Sequence, residues 1–348
     1  MARATRADER SPITLSDVAK AAGVSQSTAS RVLNGSDRVV NEELRSRVMS
    51  AAQKLRYTAN LSAQTVAKGM SSTIALLVSD IADGYFSTMA AAVMRAAEAE
   101  GLRVTIAVTE RDVTREIELV RQLRGQHARA IILAGSGYLD AELTRELVRE
   151  LELFEEVGGT VVLVSRSNLP FTHVDLDNLE GARRLAAAMV RLGYRSFLVL
   201  GGERTLVATH DRVQGFRLGL EGHGIVLRDD QVLYSNFSWE GGFEAIQALD
   251  EATLSATELV FAVNDEMALG ALAGLRARGM RVPDDVAIAG FDDIRSLRNI
   301  VPSMTTVRVP LDEVGKKAIA RALRGNDDAG TAVVAATVVL RDSTPRRS

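Results

Sequence analysis

From Thr73 onward the chain repeats one unit: a short apolar run, an amphipathic stretch of helical period, a glycine, then another apolar run. Strands that are apolar on both faces and alternate with helices belong to parallel sheets, because the crossover helices cover both faces. Runs at 74–78 (IALLV), 104–108, 130–134, 161–164, 197–201, 231–234, 259–263 and 286–291 read as strands and 85–100 as the first helix, with Gly101, Gly125, Gly193 and Gly279 as helix stops. These are more strands than one sheet of average size holds. The pattern therefore predicts two doubly wound α/β lobes with a cleft between them, where ligands bind at the carboxyl ends of the strands.

The first seventy residues have a different grammar. In 13–35, ITLSDVAKAAGVSQSTASRVLNG, Thr14 precedes the apolar positions Leu15, Val18, Ala19 and Ala22, and Asp17 stands where a capping box needs it, so a helix starts near Leu15. Gly23 ends it in a left-handed turn, Val24 plugs the turn, and Ser25 caps a second helix from about Gln26 to Leu33. Ala29, Val32 and Leu33 face inward on this second helix, while Gln26, Ser27, Ser30 and Arg31 face out. Asn41 caps a third helix reaching to about Arg56, with Leu44, Val48, Ala51, Ala52 and Leu55 on one face. Three short helices close a small core, and a helix pair joined by a tight turn lets the second helix enter a DNA major groove. An ordinary helical hairpin fits the turn alone; the third helix favours the groove reader. Residues 60–68 (NLSAQTVAK) suit a short helix with too little apolar face to stand alone, a hinge that DNA or a partner chain would order.

Charge separates along the same border. Residues 1–70 carry 11 Lys/Arg against 6 Asp/Glu, a balance of +5, and the remainder carry 31 against 39, a balance of −8, which together make the chain's −3. A basic head on an acidic body concentrates attraction for phosphate at the reading helix. The chain has no cysteine, which excludes disulfide and thiolate chemistry, and its histidines (His127, His173, His210, His223) lack metal-ligand spacing, so neither metal nor cofactor is expected. No apolar run is long enough to span a bilayer and MARATRADERSP has no apolar stretch behind its charges, so a cytoplasmic location away from membranes is expected, with 1–12 as a disordered arm.

Residues 13–69 resemble the DNA-binding headpiece of the lac repressor (LacI/GalR) family. The shared pattern runs through Thr14, Leu15, Asp17, Val18, Ala19, Ala22, Gly23, Val24, Ser25, Thr28, Ser30, Arg31, Val32, Leu33 and Asn34. The resemblance implies that Gln26, Ser27 and Arg31 read bases while Thr28, Ser30 and Asn34 position the helix on phosphates, with Thr14 and Ser25 at the interface as caps. It also implies that Asn60, Ala63 and Val66 belong to the hinge contact. The hinge departs from the family at Ala59, where relatives carry proline, and at Val66, where a leucine wedges into the minor groove. A β-branched valine unstacks a base step less effectively, and plain helix packing is the other reading of Val66.

Residues 73–345 are similar to the type I periplasmic-binding-protein fold of the same family's effector domain, marked by VDLDNLEG at 174–181, Arg212 with Gly215-Phe216, FAVNDEMALG at 261–270 and VPDDVAIAGFDD at 282–293. The expected organisation is an arm at 1–12, a helix-turn-helix domain at 13–58, a hinge helix and linker at 59–72, and an effector and dimerisation domain at 73–345. Its crossings are placed near Ser167, Asp293 and Gly325, giving an N-lobe of 73–167 and 294–325 and a C-lobe of 168–293 and 326–345. Strand ends and resemblance together nominate Asp80, Phe86, Ser165, Arg166, Arg212, Phe237, Asn264 and Asp265 for the effector: carboxylate and guanidinium forks bind hydroxyls, and an aromatic ring stacks on the ligand's apolar face. Arg212 and Asp265 also fit a purely structural ion pair, while Asp292 and Asp293 read as structural caps and Asp177 and Asn178 as a helix N-cap.

The resulting expectation is a homodimeric transcriptional regulator, a repressor by family resemblance, that binds double-stranded DNA at a pseudo-palindromic operator and responds to a small molecule. A sugar or sugar derivative is the leading effector. The position before Arg166 is Ser165 rather than the acidic residue common in sugar-responsive relatives, which leaves a nucleoside or other polar metabolite open, as corepressor action and activation are also open. One head reads too few bases, so two symmetric heads are expected, and RDSTPRRS at the end carries no leucine heptads for a tetramer. An enzyme built on a Rossmann-type sheet fails on motifs: Gly135-Ser136-Gly137 lacks a third glycine and the following helix start, no P-loop Lys-Ser/Thr appears, and His210-Asp211 are mere sequence neighbours. A secreted solute-binding protein fails on the head.

Overall fold

Each helix of the head starts where a side chain replaces the missing backbone acceptor. In a computed structural model, which describes residues 13–34, 41–58, 71–135, 137, 139–165, 169–325 and 331–347, Thr14 caps α1 (Leu15–Ala22) with its hydroxyl on the Asp17 amide, and the Asp17 carboxylate returns to the Thr14 amide. That reciprocal pair holds the Asp17 carboxyl below the usual range. Gly23 turns the chain with φ 64°, and Ser25 Oγ accepts from the Thr28 amide at 3.1 Å to begin α2 (Gln26–Asn34). Asn41 caps α3 (Glu42–Leu55), after which Arg56 turns left-handed. Val18, Ala19, Ala22, Ala29, Val32, Val48, Ala51 and Ala52 close a core of small side chains, with Leu15, Val24, Leu33, Leu55 and Tyr57 around it. Leu44, expected on that face, is half-buried. The arm at 1–12 and the hinge at 60–68 lie outside the described residues.

The chain divides into two compact units, Met1–Ser71 and Ser72–Ser348. The second begins with β1 (Thr73–Val78), α4 (Gly84–Ala99), β2 (Arg103–Val108), α5 (Val113–Gly125), β3 (Ala130–Ala134), α6 (Ala141–Glu156), β4 (Thr160–Val164) and β5 (Thr172–Leu176). Asp83, Asp112 and Asp140 cap α4, α5 and α6. Period-two alternation sorts the strand residues: Ile74, Leu76 and Val78 face one apolar cluster, which includes α4, and Ala75 and Leu77 face the other, formed with α5 and α6. At the end of α5 it is His127, with φ 51°, and not Gly125, that adopts the left-handed turn.

The second lobe follows with α7 (Asn178–Arg191), β6 (Phe197–Gly201), α8 (Val207–Glu221), β7 (Val232–Tyr234), α9 (Trp239–Gln247), α10 (Glu251–Ala256), β8 (Leu259–Ala262), α11 (Asp265–Ala277) and β9 (Ala287–Ala289). Then come β10 (Thr306–Arg308), α12 (Leu311–Arg324), β11 (Thr331–Val334) and β12 (Thr337–Val339). The first sheet is six-stranded and parallel, in the order β11-β5-β4-β3-β1-β2; the second has four strands in the order β7-β6-β8-β9; β10 and β12 form an antiparallel pair beside β9, bridged by Ala289 and Thr305.

This topology corrects the expected crossings. β5 pairs with β4 and β11 with β5, so both belong to the first lobe, whereas Thr305–Arg308 joins the edge of the second. The chain thus changes lobes after Leu176, after Arg308 and after Val334, not near Ser167, Asp293 and Gly325. Glycines and helix caps mark where helices end, but the partner of a strand is set by pairing across the sheet, which local sequence does not encode.

Candidate functional site

On the head, α2 presents Gln26, Ser27 and Arg31 to solvent. Ser25 Oγ lies 2.9 Å from Ser27 Oγ and 2.8 Å from Thr28 Oγ1, so the Ser25 and Thr28 hydroxyls stiffen the first turn of the helix. Thr14 is engaged with Asp17, and Ser30 is half-buried; Asn34 ends α2. Asn60, Ala63 and Val66 lie outside the described residues. Sequence reading missed Arg47 of α3, whose guanidinium donates to the Ala22 carbonyl at 2.6 Å and to Gly23, latching the turn between α1 and α2. It lies off the apolar stripe of α3, and only the packing of the three helices brings it to that turn.

In the second unit a cleft with about 610 Å³ of empty space, its open mouth included, collects residues from the carboxyl ends of both sheets. Ser79 follows β1, and Asp83, Tyr85 and Phe86 start α4; Arg111 follows β2, and Gly135 and Gly137 follow β3. Val164 and Ser165 end β4, while Leu176 and Asn178 flank the first crossing. The second lobe adds Leu206, Ala208, Arg212, Phe237 and Asp292.

Arg212 is the organising group. Its Nε donates to Asn178 Oδ1 at 3.0 Å, Nη1 to the Val263 carbonyl at 2.7 Å and Nη2 to Asp292 Oδ1 at 2.9 Å, and the guanidinium lies over the Phe291 ring at 3.9 Å. Both ions of the Arg212–Asp292 pair are almost wholly buried. Burial, only partly offset by Arg212, pushes the Asp292 carboxyl well above the ordinary range. Asp292 also holds a left-handed φ of 123°, a conformation costly for a residue with a Cβ. Its amide donates to the Val307 carbonyl at 2.8 Å, so the second crossing strand pins it there.

Phe86 and Phe237 face the same cleft, and each is seated on a glycine. A Cβ on Gly135 would lie 2.9 Å from the Phe86 ring, and one on Gly202 2.0 Å from the Phe237 ring. The Arg111 guanidinium stands 5.6 Å from the Phe237 ring centroid. Burial raises the carboxyl of Asp83, opposed by the hydrogen bond from the Tyr85 amide, and Tyr85 packs edge-on against Phe86 at 5.0 Å. Buried carboxylate, amide and guanidinium groups beside aromatic faces can bind the hydroxyls and C–H faces of a polyhydroxylated ligand.

Of the nominated residues, Phe86, Ser165, Arg212 and Phe237 meet in this cleft. Arg166 lies outside the described residues. Asp80 does not line it; its carboxylate accepts from the Ala82 amide at 2.8 Å. Asn264 caps α11 through the Met267 amide at 2.8 Å, and its buried Nδ2 has no hydrogen-bond partner among the described residues. Asp265 also stands off the cleft: it accepts from Thr306 Oγ1 at 2.7 Å and the Ile294 amide at 2.9 Å, and burial pushes its carboxyl up to about 7. The structural partner of Arg212 is therefore Asp292, not Asp265. Asn178 and Asp292, read from sequence as caps, are cleft residues, and Asp177 makes no capping bond but pairs with Arg184 at 2.5 Å. Asp83 and Arg111 were missed; the run Asp83-Gly84-Tyr85-Phe86 just after β1 was the available signal.

Comparison with known proteins agrees with both halves. Residues 14–60 match the family of bacterial regulatory proteins, lacI family, and residues 186–344 match the periplasmic binding protein-like domain. The HTH-type transcriptional regulator GalS of Salmonella typhimurium is 32% identical over 337 residues, covering 96% of each chain. A lac repressor dimer bound to operator and the anti-inducer ONPF is similar with a TM-score of 0.83 and 26% identity, over 96% of this chain and 100% of that one. A complex of the transcriptional regulator CelR with cellobiose is similar with a TM-score of 0.69 and 29% identity, over 95% of this chain and 99% of that one.

Proposed function

Since the chain belongs to the lacI family of bacterial regulatory proteins, and is thus a DNA-binding transcriptional regulator controlled by a small molecule, we propose that its effector is a sugar or sugar derivative held between the two lobes. The observation that carries this reading is the buried fork of Arg212, Asp292 and Asn178 sharing one cleft with Phe86 and Phe237. We further propose that the protein represses transcription in the cytoplasm as a homodimer on a pseudo-palindromic operator. Gln26, Ser27 and Arg31 read base edges there, and the stiffened Ser25–Thr28 turn sets the helix on the backbone. Effector binding biases the relation of the lobes, and residues 59–72 carry the change to the heads.

The test begins by selecting an operator from a random duplex library with the intact protein, then titrating it with D-galactose, D-ribose, cellobiose and adenosine. A sugar should shift operator affinity by about 5- to 150-fold, the usual span of allosteric coupling. A response to adenosine alone, or to none of the sugars, refutes the assignment. On the same operator Arg31→Ala should cost about 1–3 kcal/mol and relax specificity at one position; a uniform loss with a shallower salt dependence would reassign Arg31 to phosphate.

A further inference from the structure

Arg111 stands in the cleft without a counter-ion. Among the described residues its guanidinium makes no hydrogen bond and no ion pair, and its ring contact is with Phe237, 5.6 Å away. The acids around it are committed elsewhere. Glu110, next to it in the chain, pairs with Arg115 at 2.9 Å, and Asp112 accepts from the Thr114 amide at 2.8 Å as the cap of α5. Asp83, which lines the same cleft, accepts from the Tyr85 amide at 2.8 Å. The other cleft arginine, Arg212, directs its donors to Asn178, Val263 and Asp292 and is neutralised by Asp292. The backbone beneath Arg111 is also unusual: Glu110 and Arg111 hold left-handed φ values of 56° and 58° in succession, where an L side chain is disfavoured. In this conformation Glu110 is exposed beside Arg115, while Arg111 is half-buried and lines the cleft. A merely solvated arginine needs no such backbone.

We propose that Arg111 is the anion-binding group of the cleft, and that the effector is a sugar carrying an oxyanion, either a carboxylate or a phosphate ester. The proposal deepens the effector reading and rests on it. A guanidinium presents its N–H donors in a planar fork that matches two oxygens of either group. The place of Arg111 by the Phe237 ring leaves the fork partly withdrawn from water, where a charge-assisted hydrogen bond is stronger. The charges of the lining agree. Arg212 and Asp292 cancel as a pair, and burial pushes the Asp83 carboxyl toward its neutral form, so Arg111 is left as the uncompensated charge. The cleft then divides its work: Arg212, Asp292 and Asn178 meet hydroxyls, Phe86 and Phe237 cover the C–H faces, and Arg111 takes the oxyanion. The neutral parent of such a sugar uses the first two sets alone and binds more weakly.

The test extends the sugar panel with D-galacturonate, D-galactose 6-phosphate, D-ribose 5-phosphate and cellobionate, each beside its neutral parent. Binding to the intact protein is measured by calorimetry and by the shift in operator affinity, at constant ionic strength so that general screening is the same throughout. For the sugar frame that the protein recognises, an anionic form should bind about 10- to 100-fold tighter than the neutral parent. Preference for the acid assigns a carboxylate, and preference for the ester a phosphate. The ratio of anionic to neutral affinity is the readout in the variants: Arg111→Gln should bring it close to one, and Arg111→Lys, which keeps the charge, should retain most of it. A ratio near one in the wild-type protein, or an unchanged ratio in Arg111→Gln, would overturn the proposal while leaving the effector reading intact. If Arg111→Gln melts early, the wild-type ratio and Arg111→Lys decide: a ratio near one in the wild type, or one lost in the lysine variant, counts against the assignment. If no sugar, neutral or anionic, shifts operator affinity, it is the effector reading that fails.

Discussion

Replacing Arg212 by methionine keeps an unbranched stem of similar course but removes the guanidinium end with its charge and its donors, which tests what the buried fork contributes. Three acceptors lose their donor: Asn178 Oδ1, the Val263 carbonyl and the Asp292 carboxylate. Both members of the ion pair are almost fully buried, so removing one leaves an uncompensated charge, at a cost of about 3–5 kcal/mol. For a unit of this size that lowers the melting temperature by about 10 °C. The defect should depend on pH. The Asp292 carboxyl already titrates above its unfolded value, and without Arg212 it rises further. A carboxyl raised on folding contributes stability that is present at low pH and is lost as pH rises through the folded value. Arg212→Met should accordingly be much less destabilised near pH 5 than near pH 8. Urea unfolding followed by circular dichroism at both pH values measures this, and the double variant Arg212→Met/Asp292→Asn should recover at least half of the loss at the higher pH. A cost below about 1 kcal/mol, or strictly additive single variants, would show that Arg212 and Asp292 are not energetically coupled and would refute the reasoning.

The carboxyl of Asp265, pushed up to about 7 by burial, should make wild-type stability fall between about pH 4 and about pH 7; Asp265→Asn should remove that slope and be more stable than wild type near pH 8, and a pH profile identical to wild type would sink the assignment. Gly23→Ala forces a Cβ to φ 64° and to 2.6 Å from the Arg47 guanidinium. It should cost the head about 1–2 kcal/mol and weaken operator binding, and calorimetry showing an unchanged head transition would contradict this. Gly202→Ala places its Cβ 2.0 Å from the Phe237 ring and should weaken sugar binding with an overpacking cost of about 1–3 kcal/mol; unchanged affinity would remove Phe237 from the site.

Much of this molecule is local. The Thr14–Asp17 box, the Gly23 turn and the Ser25 and Asn41 caps each lie within a few residues, so sequence spacing alone located the helices of the head. The apolar runs likewise placed β1, β3, β4 and β6 to within a residue or two, because a strand buried on both faces needs an unbroken apolar run. Phe86, Arg212 and Phe237 were legible for a related reason: each lies in the segment that follows a strand, and strand ends are where such sheets bind ligands, whereas Ser165 came from the family resemblance. Asp292, Asn178 and Arg111 were harder, since nothing beside them in sequence shows what they touch.

What the sequence alone determined about this protein is therefore its elements, its two-part character and its partnership with DNA, all of which depend on short spacings and on patterns of polarity. The tertiary structure decided the rest: that β5 and β11 join the first lobe, that Arg212 takes Asp292 and leaves Asp265 to Thr306, and that Arg47 latches the turn between two other helices. Each of these is a contact between residues far apart in the chain. Such partners are selected by sheet pairing and by competition for buried charge, and those are properties of the assembled fold.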